Sequence, residues 1–278
     1  MKTIKLTLCM LVSFVMTLAA QNPFAPFRTN SSVIMDFNLS PDGRRMVYKE
    51  RSADGFVKIQ LKDLKKGYIT LVSDKELADS EATELFSGMD FLTKDVLLLA
   101  REGYMNSCHV GKKQFEKLFK LPDDLILAIN VSPDGKGVYW VGQKTLYYSL
   151  LTSEPVIQSH PTKGVVLSMT INKNGHAFYT TTDGVFCWDG LNAKSEAVTA
   201  VAELVSQPYL IEATRHPNRF IVAGKDGVFK VDLAKGKSEK LMDNEKENPV
   251  MKMRQSPNGK VLYYQKVHSK HEICELGL

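Results

Sequence analysis

One pattern returns along this chain at nearly constant spacing, and it decides what the chain can fold into. The segment 35–48 carries Ser40-Pro-Asp-Gly-Arg44, 127–140 carries Ser132-Pro-Asp-Gly-Lys136, and 251–264 carries Ser256-Pro-Asn-Gly-Lys260. Looser copies occupy 167–179 and 211–222, and a degenerate one begins at Met89. With Ser132, Asn172, His216 and Ser256 in register, the steps are 40, 44 and 40 residues. The 92 residues between Ser40 and Ser132 leave room for two longer units, so the chain holds six repeats.

Each repeat reads as β structure: an apolar run, a turn, a second apolar run, then a shorter turn and a third strand. Proline presets the φ of the turn's second position, Asp suits the bridge conformation after it, and Gly takes the positive φ that starts the antiparallel partner. Shorter turns follow at Asp54-Gly55, Asp183-Gly184 and Asp226-Gly227, and Val57 to Leu64 then Tyr68 to Ser73 complete four strands in the first unit. Four antiparallel strands per 40 or so residues predict an all-β, six-bladed β-propeller. The last repeat stops after a third strand at Glu272 to Leu276. The segment 21–32, with Phe24, Ala25 and Phe27, is expected either to complete that blade or to remain a short leader, since Pro23 and Pro26 limit ladder pairing.

Lys2 and Lys5 precede the apolar run Leu6 to Leu18, and Ala19-Ala20 offers a cleavage site before Gln21, so residues 1–20 read as a secretory signal peptide. The run is too short for a permanent span, no later stretch is long enough, and the mature chain is expected in the periplasm or outside the cell, without a transmembrane segment. Without Lys2 and Lys5 the formal charge of +5 falls to +3, with basic residues scattered among acids, which argues against nucleic-acid binding.

The Ser-Pro-Asp-Gly-Lys/Arg turns resemble the repeat of TolB-type propellers, over nearly the whole mature chain. That resemblance implies a periplasmic or secreted binding scaffold that engages a protein or another envelope component through one propeller mouth. The additional N-terminal α/β domain of TolB is not read in this sequence. Related repeats precede prolyl-oligopeptidase catalytic domains, but there is no Gly-x-Ser-x-Gly elbow here for that chemistry.

Stacking the innermost strands gives two polar columns. One reads Asp36, Asp90, Ala128, Ser168, Glu212 and Lys252; the next reads Asn38, Asn130, Thr170, Thr214 and Arg254, with the second repeat unassigned. Residues i and i+2 share a strand face, so both columns are expected to ring the channel at successive depths. Asp36, Asp90 and Glu212 facing Lys252 and Arg254 could bind a small polar ligand or a cation, or simply line a hydrated channel. A second function class stays open, a propeller hydrolase or lyase using these carboxylates on a saccharide, lactone or peptide; charges turned into ion pairs between blades would count against it. No catalytic set, cofactor or metal site is singled out. His268 and His271 have a ligand-like spacing without a third ligand in sequence. Cys108, Cys187 and Cys274 fall in third strands of non-adjacent repeats and are expected as unpaired, mostly buried thiols, a reactive thiol being the alternative. The run Lys235 to Lys240, with Asp243 to Glu247, reads as a solvated or partner-docking loop between blades five and six.

Overall fold

The computed structural model describes residues 27–29, 32–53, 57–63, 67–73, 88–190 and 195–278. Residues 1–20, read as a signal peptide, and the turn expected at Asp54-Gly55 lie outside them. The chain forms a six-bladed β-propeller of four-stranded antiparallel sheets. From the channel outward, the first blade is β2 (Val33–Leu39), β3 (Arg45–Arg51), β4 (Val57–Asp63) and β5 (Gly67–Ser73). The second is β6 (Met89–Thr93), β7 (Val96–Arg101), β8 (Tyr104–His109) and β9 (Gln114–Lys120). The third is β10 (Ala128–Val131), β11 (Gly137–Val141), β12 (Thr145–Leu150) and β13 (Gln158–Pro161); the fourth is β14 (Ser168–Ile171), β15 (Ala177–Thr181), β16 (Gly184–Trp188) and β17 (Glu196–Ala197). The fifth is β18 (Leu210–Ala213), β19 (Arg219–Gly224), β20 (Gly227–Asp232) and β21 (Lys237–Met242). The sixth is β22 (Val250–Gln255), β23 (Val261–Lys266) and β24 (Glu272–Gly277), with β1 (Phe27–Arg28) as its outermost strand.

The turns hold because one hydroxyl does two jobs. Ser132 Oγ donates to Asp134 Oδ1 (2.6 Å) and accepts from the Gly137 N–H (2.8 Å), while Asp134 also accepts from the Lys136 N–H (3.0 Å). Gly135 sits at φ +70°, a region that disfavours any side chain with a Cβ. The Ser40 and Ser256 turns repeat the arrangement, with Asn258 in place of the aspartate.

Burial follows distance from the channel. The second strands β11 and β15 are buried at every residue, because adjacent blades cover both of their faces. The outer strands β9 and β21 are mostly exposed. This corrects the reading of Lys235 to Lys240 as a loop: Lys237–Met242 is a peripheral strand, polar because little packs on it, and only the segment after it is a loop. A short helix, α1 (Thr199–Leu204), bridges the fourth and fifth blades and buries Val201. The three described cysteines form no disulfide with one another; Cys108 is buried, and Cys187 and Cys274 are half-buried.

Each pair of adjacent blades shares one apolar cluster. Val47, Ile59 and Leu61 meet Phe91, Leu97 and Leu99 between the first and second blades, and Ile34, Phe37 and Tyr48 meet Tyr263 and Ile273 between the first and sixth. At that last junction the two ends of the described chain pair, Phe27 with Ile273 and Arg28 with Glu272. The Thr29 N–H donates to the His271 carbonyl (2.8 Å), and His271 Nδ1 lies 2.8 Å from the Ser32 carbonyl. Thr29→Pro removes the donor and is expected to lower stability by about 1 to 3 kcal/mol and to speed thiol labelling of Cys274 on the neighbouring strand. Denaturant titration and labelling kinetics measure both; unchanged values would show that β1 contributes nothing to closure.

Candidate functional site

The innermost strands run from the start face, where each begins, to the turn face, where the Ser-Pro-Asp-Gly turns lie. One polar residue on five of them, two positions before the turn except in the second blade, reaches across to the next blade. Asn38 Nδ2 donates to the Met89 carbonyl (2.6 Å), and Asp90 Oδ2 accepts from the Val131 N–H (2.8 Å). Thr170 Oγ1 accepts from the Ala213 N–H (2.9 Å), and Glu212 Oε1 from the Gln255 N–H (3.0 Å). Arg254 Nε donates to Asn38 Oδ1, which joins the sixth blade to the first. Asn130 occupies the corresponding place in the third blade, lines a channel cavity with these residues and is 8% exposed, yet among the described residues its Nδ2 has no partner.

The pairing changes the two columns read from sequence. Asp90 and Glu212 belong with Asn38, Asn130, Thr170 and Arg254 in one ring, not with Asp36. Thr214 leaves the ring and starts the turn of the fifth blade, where its Oγ1 donates to the Arg219 carbonyl (2.9 Å) and accepts from the His216 N–H (3.1 Å). The hydroxyl, not the proline that follows His216, fixes that register. Asp36 and Lys252 lie one layer nearer the start face, as an ion pair of 2.5 Å that spans the first and sixth blades.

The charges are largely spent on one another. Arg254 Nη1 lies 3.1 Å from Glu212 Oε2, with side chains 13% and 11% exposed. Arg254 lines both a cavity of about 130 Å³ on the start side and one of about 170 Å³ on the turn side, and so divides the channel. Burial opposes ionisation of Asp36, but Lys252, Arg254 and Lys49 outweigh it and hold that carboxyl below its ordinary range. Burial pushes Glu212 up despite Arg254 and the Gln255 N–H. Asp90 differs: among the described residues it has no ion-pair partner, and burial, with Glu212 adding to it, pushes its pKa to about 6 against the N–H groups of Val131 and Phe91 and the field of Arg254. Among the described residues no group of three or more His, Cys, Asp or Glu is placed to hold a metal.

The start face carries a feature that the sequence reading missed. Five positions before the turn stand Met35, Leu127, Leu167 and Met251, exposed by 37%, 41%, 46% and 36%, with Tyr209 at the same place in the fifth blade. Leu127, Leu167 and Met251 line the start-side cavity. The signal was present in the repeat, one residue before the first polar column.

Because the folded-state pKa of Asp90 lies above its ordinary 3.8, the folded protein binds the extra proton between about pH 4 and 6, and stability falls as pH rises through that window. Replacing Asp90 by Asn removes this titration. The stability of Asp90→Asn relative to wild type is expected to shift in the variant's favour by about 1 to 2 kcal/mol from pH 4 to pH 7.5, discounted from the full shift because the cavity opens to solvent. Parallel denaturant titrations at the two pH values test this, and a pH-independent difference would refute it. Compared with known protein families and with curated proteins, the sequence matches none.

Proposed function

We propose that the chain is an exported, non-catalytic propeller scaffold of the TolB type, which binds a protein or another cell-envelope component through its start face. The observation that carries this reading is the apolar rim of Met35, Leu127, Leu167 and Met251 around one channel mouth, extended outward by Leu125 and Val165, 51% and 48% exposed. Side chains repeated at one position in successive blades form a contiguous surface, and exposed apolar surface of this kind marks interaction sites. The Asp36–Lys252 and Glu212–Arg254 pairs support a binding use of the channel over a hydrolytic one, since they engage two of the three channel carboxylates and leave Asp90 without a second unpaired carboxylate to share acid and base work. The Lys2, Lys5 and Leu6 to Leu18 pattern supports export. Among the described residues no helix is long and apolar enough to cross a membrane.

Affinity capture from the envelope of the source cells separates the two faces. Leu127→Ser/Leu167→Ser/Met251→Ser is expected to lower recovery of the captured component by about tenfold or more. Lys136→Glu, an exposed side chain on the turn face, is expected to leave recovery unchanged. Equal recovery by wild type and the triple variant, each folded by circular dichroism, would remove the start face as the binding surface. Mature protein recovered from the envelope is expected to begin at Gln21, and retention of residues 1–20 would contradict export by a cleaved signal.

A further inference from the structure

The turn face is notched at one blade. Elsewhere the first two strands are joined by turns such as Ser40 to Arg45 and Ser132 to Gly137, but in the second blade only Lys94 and Asp95 separate Thr93 from Val96. The missing turn leaves an open cleft of about 850 Å³ between the turns of the first and third blades. Its walls include Leu39, Pro41, Leu92 and Pro133, and Asp90 lies in its lining. Asp90 also lines the channel cavity of about 170 Å³, together with Asn130 and Arg254, so cleft and cavity meet at this carboxylate. Apolar walls leading to a few convergent polar groups, in a volume of this size, are the usual anatomy of a small-ligand site.

The polar end is incomplete in a specific way. Each Asp90 oxygen accepts one backbone N–H, from Phe91 and from Val131, and among the described residues the carboxylate has no cation of its own, while Glu212 holds Arg254 and Asp36 holds Lys252. Beside it, Asn130 is buried with an amide nitrogen that has no acceptor, at the one junction of the ring its side chain does not lace. A buried amide left unsatisfied costs about 1 to 3 kcal/mol, which a bound oxygen would recover. Among the described residues no group of three or more His, Cys, Asp or Glu is placed to hold a metal ion, and Glu212 already meets the Arg254 charge, which leaves Asp90 as the carboxylate to be matched by a single positive charge.

We propose that this cleft binds an α-ammonium group with an adjacent carbonyl and an apolar side chain: the ammonium on Asp90, the carbonyl oxygen on the Asn130 amide, and the side chain against Leu39, Leu92 and the flanking prolines. A free amino acid and the amino terminus of a peptide share this chemistry, and the notch leaves an outward path for a following chain. The site is on the face opposite the apolar rim and does not depend on what that rim binds.

The test uses the whole mature protein, labelled with ¹⁵N, because the amides of Phe91 and Val131 bond directly to the Asp90 carboxylate and report on it. Leu-Gly-Gly, its N-acetylated form and free leucine are the probes. Leu-Gly-Gly is expected to shift both amides saturably, and acetylation to weaken binding by at least about tenfold by removing the charge. Among the described residues Asn130→Ala breaks no hydrogen bond and it removes the unsatisfied amide, so it is expected to melt no lower than wild type and to weaken binding several-fold; Asp90→Asn is expected to weaken it by about tenfold or more. Leucine binding as tightly as Leu-Gly-Gly identifies a free amino acid as the ligand, and binding of the tripeptide alone identifies a peptide terminus. Equal binding of acetylated and free peptide, unchanged binding by Asn130→Ala, or no saturable shift up to about 10 mM of any probe would overturn the proposal.

Discussion

Everything in this molecule depends on apolar packing between neighbouring blades. A single four-stranded sheet of this size has two faces and cannot bury either alone, so each borrows cover from the blade before and the blade after it. Leu97 and Leu99 do this between the first two blades, Trp140 and Val138 between the second and third, and Phe220 and Val222 between the fourth and fifth. A fully buried Leu or Phe contributes about 1.5 to 3 kcal/mol by leaving water, and every blade has cover on both faces only if the ring closes. Closure is therefore a condition for the core, not an addition to it.

The polar ring at the channel solves the problem that this packing creates. Six strand edges converge on a narrow axis, and their side chains must satisfy one another in a space with little water. Most do so by reaching one blade onward, to a backbone N–H or carbonyl, so that the same bonds that satisfy buried groups also set the angle between blades. Among the described residues Asn130 is the exception, its amide nitrogen without a partner, and Asp90, though it reaches the Val131 N–H, has no counter-charge. Both stand where the short Lys94–Asp95 turn opens the turn face.

The architecture was legible because the turn is chemically demanding. A hydroxyl that both donates and accepts, a fixed φ and a positive φ leave few residue choices, so Ser-Pro-Asp-Gly shows through the sequence wherever the geometry recurs. Register was less legible. In the fifth blade His216-Pro217 imitates Ser-Pro, and only the hydrogen bonds of Thr214 reveal that the turn begins two residues earlier, which moves Glu212 into the ring with Asp90. The outer strand Lys237–Met242 was read as a loop because a strand at the periphery has no apolar face to advertise itself. Ion pairs such as Asp36–Lys252 join residues more than two hundred positions apart, and no local pattern specifies them.

The last blade takes its outer strand from the opposite end of the chain, Phe27 pairing with Ile273. A contact across nearly the whole described length carries a large loop-closure entropy, and it forms only after both partners exist. Repeats near the middle can stack on their neighbours as they emerge, but the circle stays a curved ribbon with two open edges until Glu272 to Gly277 is available. The β1–β24 pairing thus acts as a clasp, and whenever it is unfastened the two edges it joins are open to proteases and to pairing with other chains.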